Sequence, residues 1–234
     1  MIDEVYPAIT VDGLTQQPAP QPGRFLARQP ILDARGNTLG YELLFREGWE
    51  NTFSGEPNHA TRQILDHCAF IGLSSLTQKG LAFVNCTREA LVDGLVTLLP
   101  AKSTVLEILE TVEPDAELVD ACRTLRGMGY ALALDDFVPQ QKMESLVELA
   151  SYVKVDYQAS NAAQRRLVDS MVRGSGATLL AEKIESQQDF NQALAEGYEY
   201  FQGYFFCRPR IVASTAFRPV ASARCYELQG RDAS

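Results

Sequence analysis

The chain has 234 residues, enough for one large domain or two small ones, and an α/β barrel alone can use that length. Its 46% hydrophobic and 22% charged residues are ordinary for a soluble globular protein, and no run approaches the eighteen apolar residues that a membrane span needs. The net charge of −9 argues against DNA or RNA as a partner, since a nucleic-acid backbone calls for a basic face; a small phosphate ligand bridged by metal ions stays open.

The opening MIDEVYPAIT lacks the basic and apolar regions of a secretory signal, so export is not expected. Residues 1–24 are rich in Pro and Gln and show no sustained period, which reads as a flexible leader. From Phe25, FLARQPILDARGNTLGYELLFR gives two extended runs around Gly36-Asn37, a β-hairpin. Short apolar segments then alternate with helical ones. The strand candidates are GLAFVNC from Gly80, TVLEILE from Thr104, YALALDDF from Tyr130, YVKVDY from Tyr152, TLLAEKI from Thr178 and YFQGYFF from Tyr200. Their starts lie 24, 26, 22, 26 and 22 residues apart, the pace of repeated strand–helix units on a parallel sheet. Between them, EPDAELVDACRTLRGMG opens on Pro114 and acids, aligns Leu118, Val119, Cys122 and Leu125, and stops at glycine; QDFNQALAEG follows the same pattern.

Six strands plus the hairpin's two make eight. The expected fold is α/β, a modified TIM-type (β/α)8 barrel with an irregular, partly antiparallel N-terminal hairpin, and a doubly wound open sheet is the alternative. The barrel is placed at residues 25–215, followed by a tail at 216–234 that fits the start of a following domain.

Polar residues recur near the C-terminal ends of these strands. They are Glu42, Asn85, Glu107 and Glu110, the adjacent Asp135 and Asp136, Lys154, Glu182 and Gln202. One such residue is ordinary solvation; a set spread over seven strands is not. In a barrel these ends converge on one face, where barrel enzymes build their sites. The set offers oxygen donors suited to hard divalent cations, and neighbouring carboxylates such as Asp135 and Asp136 require a cation between or beside them. His59 and His67 are the only histidines, so oxygen-bound Mg²⁺ or Mn²⁺ fits better than zinc. Two ions about 4 Å apart, with Lys154 stabilising charge, would activate water against a phosphodiester.

Other residues carry blander readings. The five cysteines are scattered and show no CxxC pair, as in a reduced, cytoplasmic protein with buried thiols. Cys86 follows Asn85 without an evident histidine partner, His67 sits on an amphipathic run, and Trp49 reads as loop packing. Arg165-Arg166 and the pair Arg208 and Arg210 read as solvated charges.

Eight ordered motifs over residues 25 to about 210 resemble the EAL domains, bacterial phosphodiesterases that linearise cyclic di-GMP. ELLFR at 42–46 stands against EALxR, after QPI at 29–31. VNCT stands against VN-x-S, LEILE against the ExxE strand, VKVD against IKID, AEKIE against AEGVE, and FQGYFF-x-RP against QGY-x-F-x-x-P, with ALDDF between. The variants look most like EAL domains that precede an HDOD domain. The resemblance implies that Glu42, Asn85, Glu107 and Asp135 hold the first metal, and that Asp135 bridges to a second ion with Asp136 beside it. Lys154, Glu182 and Gln202 would hold or activate the attacking water, Gln29 and Arg46 would contact the nucleotide, and Glu110 would anchor the loop after DDF. It also implies a homodimer and an HDOD domain or other signalling partner, while the lack of an apolar run of spanning length argues against a membrane. Two departures stand out. The glycine-rich loop after DDF is here VPQQKM, 138–143, and the glycine of AEGVE is Lys183. Hydrolysis to pGpG, weakened by that loop, is the leading function; a degenerate module that binds cyclic di-GMP or a protein partner is the alternative.

Overall fold

The computed structural model describes the backbone of residues 24–47 and 72–213, and the side chains of 26–44 and 72–211. Residues 1–23 of the expected leader, the tail at 216–234, Trp49, His59, His67, Cys68 and Cys225, and the side chain of Arg46 lie outside the described residues.

The hairpin forms as expected. β1 (Arg24–Asp33) pairs antiparallel with β2 (Thr38–Glu47), from Arg24 opposite Glu47 to Leu32 opposite Thr38. Asp33 Oδ1 accepts from the backbone amides of Arg35 and Asn37, each at 2.8 Å, and Gly36 takes a φ of 81°, which a side chain would resist. Six strands then run parallel to β2 in chain order: β3 (Leu81–Cys86), β4 (Thr104–Ile108), β5 (Ala131–Leu134), β6 (Tyr152–Asp156), β7 (Thr178–Glu182) and β8 (Tyr200–Phe201). β1 lies between β8 and β2, antiparallel to both, and closes the ring. The sheet is therefore an eight-stranded barrel and not an open doubly wound sheet. A further strand, β9 (Arg210–Ala213), pairs with Phe25 to Arg28 of β1. β8 covers only Leu32 and Asp33 of β1, and β9 takes the edge this leaves.

Alternation along each strand sorts its residues to two faces. Ile31, Phe83, Val105, Ala133 and Leu180 are fully buried and form one cluster inside the barrel, joined by Tyr152 and Tyr200. The Tyr152 ring lies 5.3 Å from Phe83 and 6.1 Å from Tyr200, so aromatics plug the middle of the barrel. Residues one step out of phase, including Val84, Leu106, Leu132, Val153 and Leu179, face the surrounding helices in the larger core.

Helices occupy the intervening segments. α1 (Leu73–Leu76), α2 (Arg88–Val92) and α4 (Glu144–Val147) are short; α3 (Ala116–Gly127), α5 (Ala162–Val172) and α6 (Gln187–Ala195) are the longer ones. Asp115 caps α3 through the Leu118 amide, while Asn161 and Ser186 form capping boxes on α5 and α6. On α3, Leu118, Cys122 and Leu125 are buried as the spacing requires.

Arg165 corrects its reading as a solvated charge. It is buried on α5 with Val168 and Val172, its Nε donates to Glu196 at 2.7 Å, and its guanidinium lies 4.1 Å from the centre of the Tyr157 ring. Arg166, Arg208 and Arg210 are exposed, in keeping with theirs. Among the described residues no helix is long and apolar enough to cross a membrane.

Candidate functional site

The polar residues of the strand ends sit two positions beyond the interior apolar ones, on the same face. Asn85 follows Phe83, Glu107 follows Val105, Asp135 follows Ala133, Lys154 follows Tyr152, Glu182 follows Leu180 and Gln202 follows Tyr200. The period of two thus places an apolar plug below and a polar layer above it, at the C-terminal end of the parallel strands.

Lys154 is the centre of that layer. Its side chain is fully buried, with Nζ 2.5 Å from Glu107 Oε1, 2.7 Å from Asp135 Oδ1, 2.8 Å from Glu182 Oε1 and 3.9 Å from Glu42 Oε2. Burial alone would push its pKa down, but Asp135, Glu107, Glu182 and Glu42 outweigh it and hold the ammonium well above the usual lysine value. Burial pushes Glu107 and Glu182 well above the usual carboxylate range, against the pull of Lys154. Four carboxylates face one ammonium.

The amides lock the acids in place. Gln202 Nε2 donates to Glu42 Oε2 at 2.5 Å and to Gln29 Oε1 at 3.1 Å, and Asn85 Nδ2 donates to Glu42 Oε1 at 3.2 Å. Gln29 Nε2 in turn donates to the Cys207 carbonyl at 2.9 Å. Gln29 is thus held beside Glu42 and Gln202. Above them opens a cavity of about 360 Å³, lined by Gln29, Glu42, Asp135, Asp136, Glu182 and Lys183 among others.

Asp135 and Asp136 diverge to different cations. Asp135 meets Lys154, whereas Asp136 meets Lys183, whose Nζ lies 3.1 and 3.2 Å from its two oxygens and also pairs with Asp156 Oδ2. The adjacent acids are therefore neutralised here by two lysines of the chain. Glu110 is exposed past the end of β4 and lines a separate groove with Phe137, Val138 and Pro139. Asp156 and the ion pair of Lys183 were not anticipated from the sequence, although Asp156 shares the strand face of Lys154 two residues on. Cys86 is fully buried, donates to the Val84 carbonyl, and has its thiol pKa pushed up by burial, as an inert thiol should.

Among the described residues no three acidic, histidine or cysteine groups already enclose a metal-sized gap; Lys154 occupies the place where they meet. The donor set still fits one hard cation. Glu42, Asn85, Glu107 and Asp135 offer oxygens from neighbouring strands, and Glu107 Oε2 is buried with no hydrogen-bond partner.

A closed α/β barrel with a buried carboxylate–lysine cluster at the C-terminal ends of its strands belongs to the acidic-mouthed barrels, the class that includes metal-dependent barrel enzymes. More narrowly, the chain belongs to the EAL domain family, whose profile matches residues 58–209. That stretch begins after β2, so Gln29 and Glu42 join the site through the fold. The chain is 37% identical over 200 residues to the cyclic di-GMP phosphodiesterase CdgJ of Vibrio cholerae, covering 83% of this chain and 46% of that one. It spans about half the length of the curated relatives it matches. Among solved structures it resembles Bacillus subtilis YkuI, with an EAL domain, in complex with substrate c-di-GMP and calcium (TM-score 0.63, 24% identity, 82% of this chain and 55% of that one). It also resembles the manganese and cyclic di-GMP complex of Klebsiella pneumoniae BlrP1 (TM-score 0.63, 24% identity, 83% and 58%). At these identities the likeness shows the fold.

Proposed function

We propose that this domain is a cytoplasmic, divalent-metal-dependent phosphodiesterase that opens cyclic di-GMP to linear pGpG. The observation that carries the reading is the buried convergence of Glu107, Asp135 and Glu182 on Lys154 beneath an open cavity. Similarity to a named phosphodiesterase supports it.

A bound Mg²⁺ or Mn²⁺ would supply Lewis acidity toward a phosphate oxygen and make water more acidic. Glu42, Asn85, Glu107 and Asp135 are the residues that would hold it. Lys154 fixes Asp135, Glu107 and Glu182 in one arrangement and offers positive charge to developing negative charge on phosphate. Glu182, with its pKa raised by burial, is suited to take the proton of the attacking water. Gln202 orients Glu42 and Gln29 by hydrogen bonds. Gln29 and Arg46 are assigned to the nucleotide, Arg46 by forked pairing with a phosphate. Incubation with cyclic di-GMP and Mn²⁺, followed by chromatography, should yield pGpG; its absence would remove the hydrolytic reading. Arg46→Ala should weaken cyclic di-GMP binding by about 1.5–3 kcal/mol, the range for a lost charge-assisted bond. Equal affinities in calorimetric titration would take Arg46 out of the site.

A second reading, binding without efficient hydrolysis, is favoured by the segment after Asp136. Residues 138–140 form no helix or strand, Gln140 is extended, Pro139 restricts Val138, and Lys142 pairs with Glu113 at 2.8 Å. Glycines would let this backbone approach the mouth. A glycine-rich loop grafted in place of 138–143 should raise turnover roughly tenfold or more while leaving affinity unchanged, since reacting geometry is less forgiving than ground-state contact. Fast turnover before grafting would clear this loop as the limit. The same proposal takes in a homodimer, to be read by light scattering, and an HDOD domain or other signalling protein as partner.

A further inference from the structure

We infer that the Lys183 ammonium occupies the position of a second cation at the mouth, so that this chain holds one divalent ion rather than two. The inference rests on the metal-dependent reading above. Among the described residues four non-glycine positions have positive φ, and two of them, Asp136 at 41° and Lys183 at 57°, are the two ends of one ion pair. A residue with a Cβ is disfavoured in that region and stays there only when its surroundings hold it.

The surroundings do hold it. The Lys183 carbonyl accepts from Gln158 Nε2 at 3.1 Å, and the next amide, of Ile184, donates to the Gln202 carbonyl at 3.0 Å. Gly203 makes room for that turn, since a Cβ there would lie 2.1 Å from the Ile184 carbonyl oxygen. On the other side, the Phe137 amide donates to the Lys154 carbonyl at 2.8 Å, which pins the backbone next to Asp136. Asp156 spends Oδ1 on the amides of Gln158 and Ala159, each at 2.9 Å, and leaves Oδ2 for Lys183.

Three carboxylate oxygens from two strand ends therefore converge on one ammonium, which has three hydrogens to give them. Hard carboxylate oxygens in such a group are also what a divalent ion takes. The ammonium has two advantages over the ion. It is tethered, so its local concentration does not depend on the solution, and its charge repels any second cation approaching the same oxygens. Asp135 is untouched by Lys183 and remains with Glu42, Asn85 and Glu107 for one ion.

Metal content tests this without reference to turnover. Equilibrium dialysis against saturating Mn²⁺, with metal counted by mass spectrometry, should give one ion per chain and the electron paramagnetic resonance spectrum of isolated Mn²⁺. Lys183→Gly removes the ammonium and suits the left-handed backbone; it should double the count to two and broaden the spectrum by spin coupling. Lys183→Asn, also tolerant of that backbone, should do the same if the glycine loosens the turn, and Lys183→Arg should keep one. Two coupled ions in the unaltered protein, or one ion in both the glycine and asparagine variants, would overturn the inference. No ion at all in the unaltered protein would overturn it together with the metal-dependent reading. One ion without pGpG formation would sustain the inference and remove hydrolysis alone.

Discussion

Lys154→Met should lower the unfolding free energy by about 3–5 kcal/mol at neutral pH, the usual cost of removing one member of a buried ionic group. Methionine fills the volume of the lysine stem, so the loss reports charge rather than a cavity. Glu107, Asp135 and Glu182 would lose the ammonium that lies 2.5–2.8 Å from them and that opposes the rise in the pKa values of Glu107 and Glu182. Burial already pushes Glu107 and Glu182 upward, and without Lys154 nothing opposes it. The folded variant would then bind more protons near neutrality than its unfolded chain does. Its stability must therefore rise as pH falls, until the unfolded carboxylates also protonate. Divalent metal should substitute for the lost charge, adding about 2.7 kcal/mol at a free concentration one hundred times the dissociation constant. Urea unfolding followed by circular dichroism, across pH and with or without Mn²⁺, reads all three effects. A deficit below about 1 kcal/mol, insensitive to pH and metal, would mean that the cluster does not depend on Lys154.

The strand ends were legible because strand periodicity is local. Phe83 and Asn85, Val105 and Glu107, or Leu180 and Glu182 each show within three residues which face is interior and where it turns polar. The hairpin was legible for the same reason, through Gly36-Asn37. Closure was not written locally. β8 has only two residues, too few for any period, and β9 exists because β8 leaves most of the edge of β1 open. Arg165 was misread because charge was weighed above position. It lies three and seven residues before Val168 and Val172, on the apolar stripe of α5, and Glu196 and Tyr157 come from distant parts of the chain to cover it. The pairing of Lys183 with Asp136 and Asp156 spans 47 and 27 residues, and the sequence showed only that a glycine position had become lysine.

Glu42 offers the sharpest test of whether the cluster acts as one unit. Among the described residues it is the only acid that the antiparallel hairpin contributes to the cluster around Lys154, and three groups hold it: Gln202 at 2.5 Å, Asn85 at 3.2 Å and Lys154 at 3.9 Å. Glu42→Ala should reduce pGpG formation by more than about 100-fold, since loss of an outer partner of a metal ligand already costs 10–100-fold. It would also leave the buried amide of Gln202 and the half-buried amide of Asn85 without this acceptor, a stability loss of about 1–3 kcal/mol. Glu42→Gln separates the two effects. A glutamine keeps an acceptor and most of the volume, so stability should largely return, while the missing negative charge should keep turnover near the alanine level. Combining Glu42→Ala with Lys154→Met should lower turnover little beyond either change alone, because groups that act together are not additive. Turnover within tenfold of the unaltered protein in Glu42→Gln would show that Glu42 braces Gln202 and does not hold the metal.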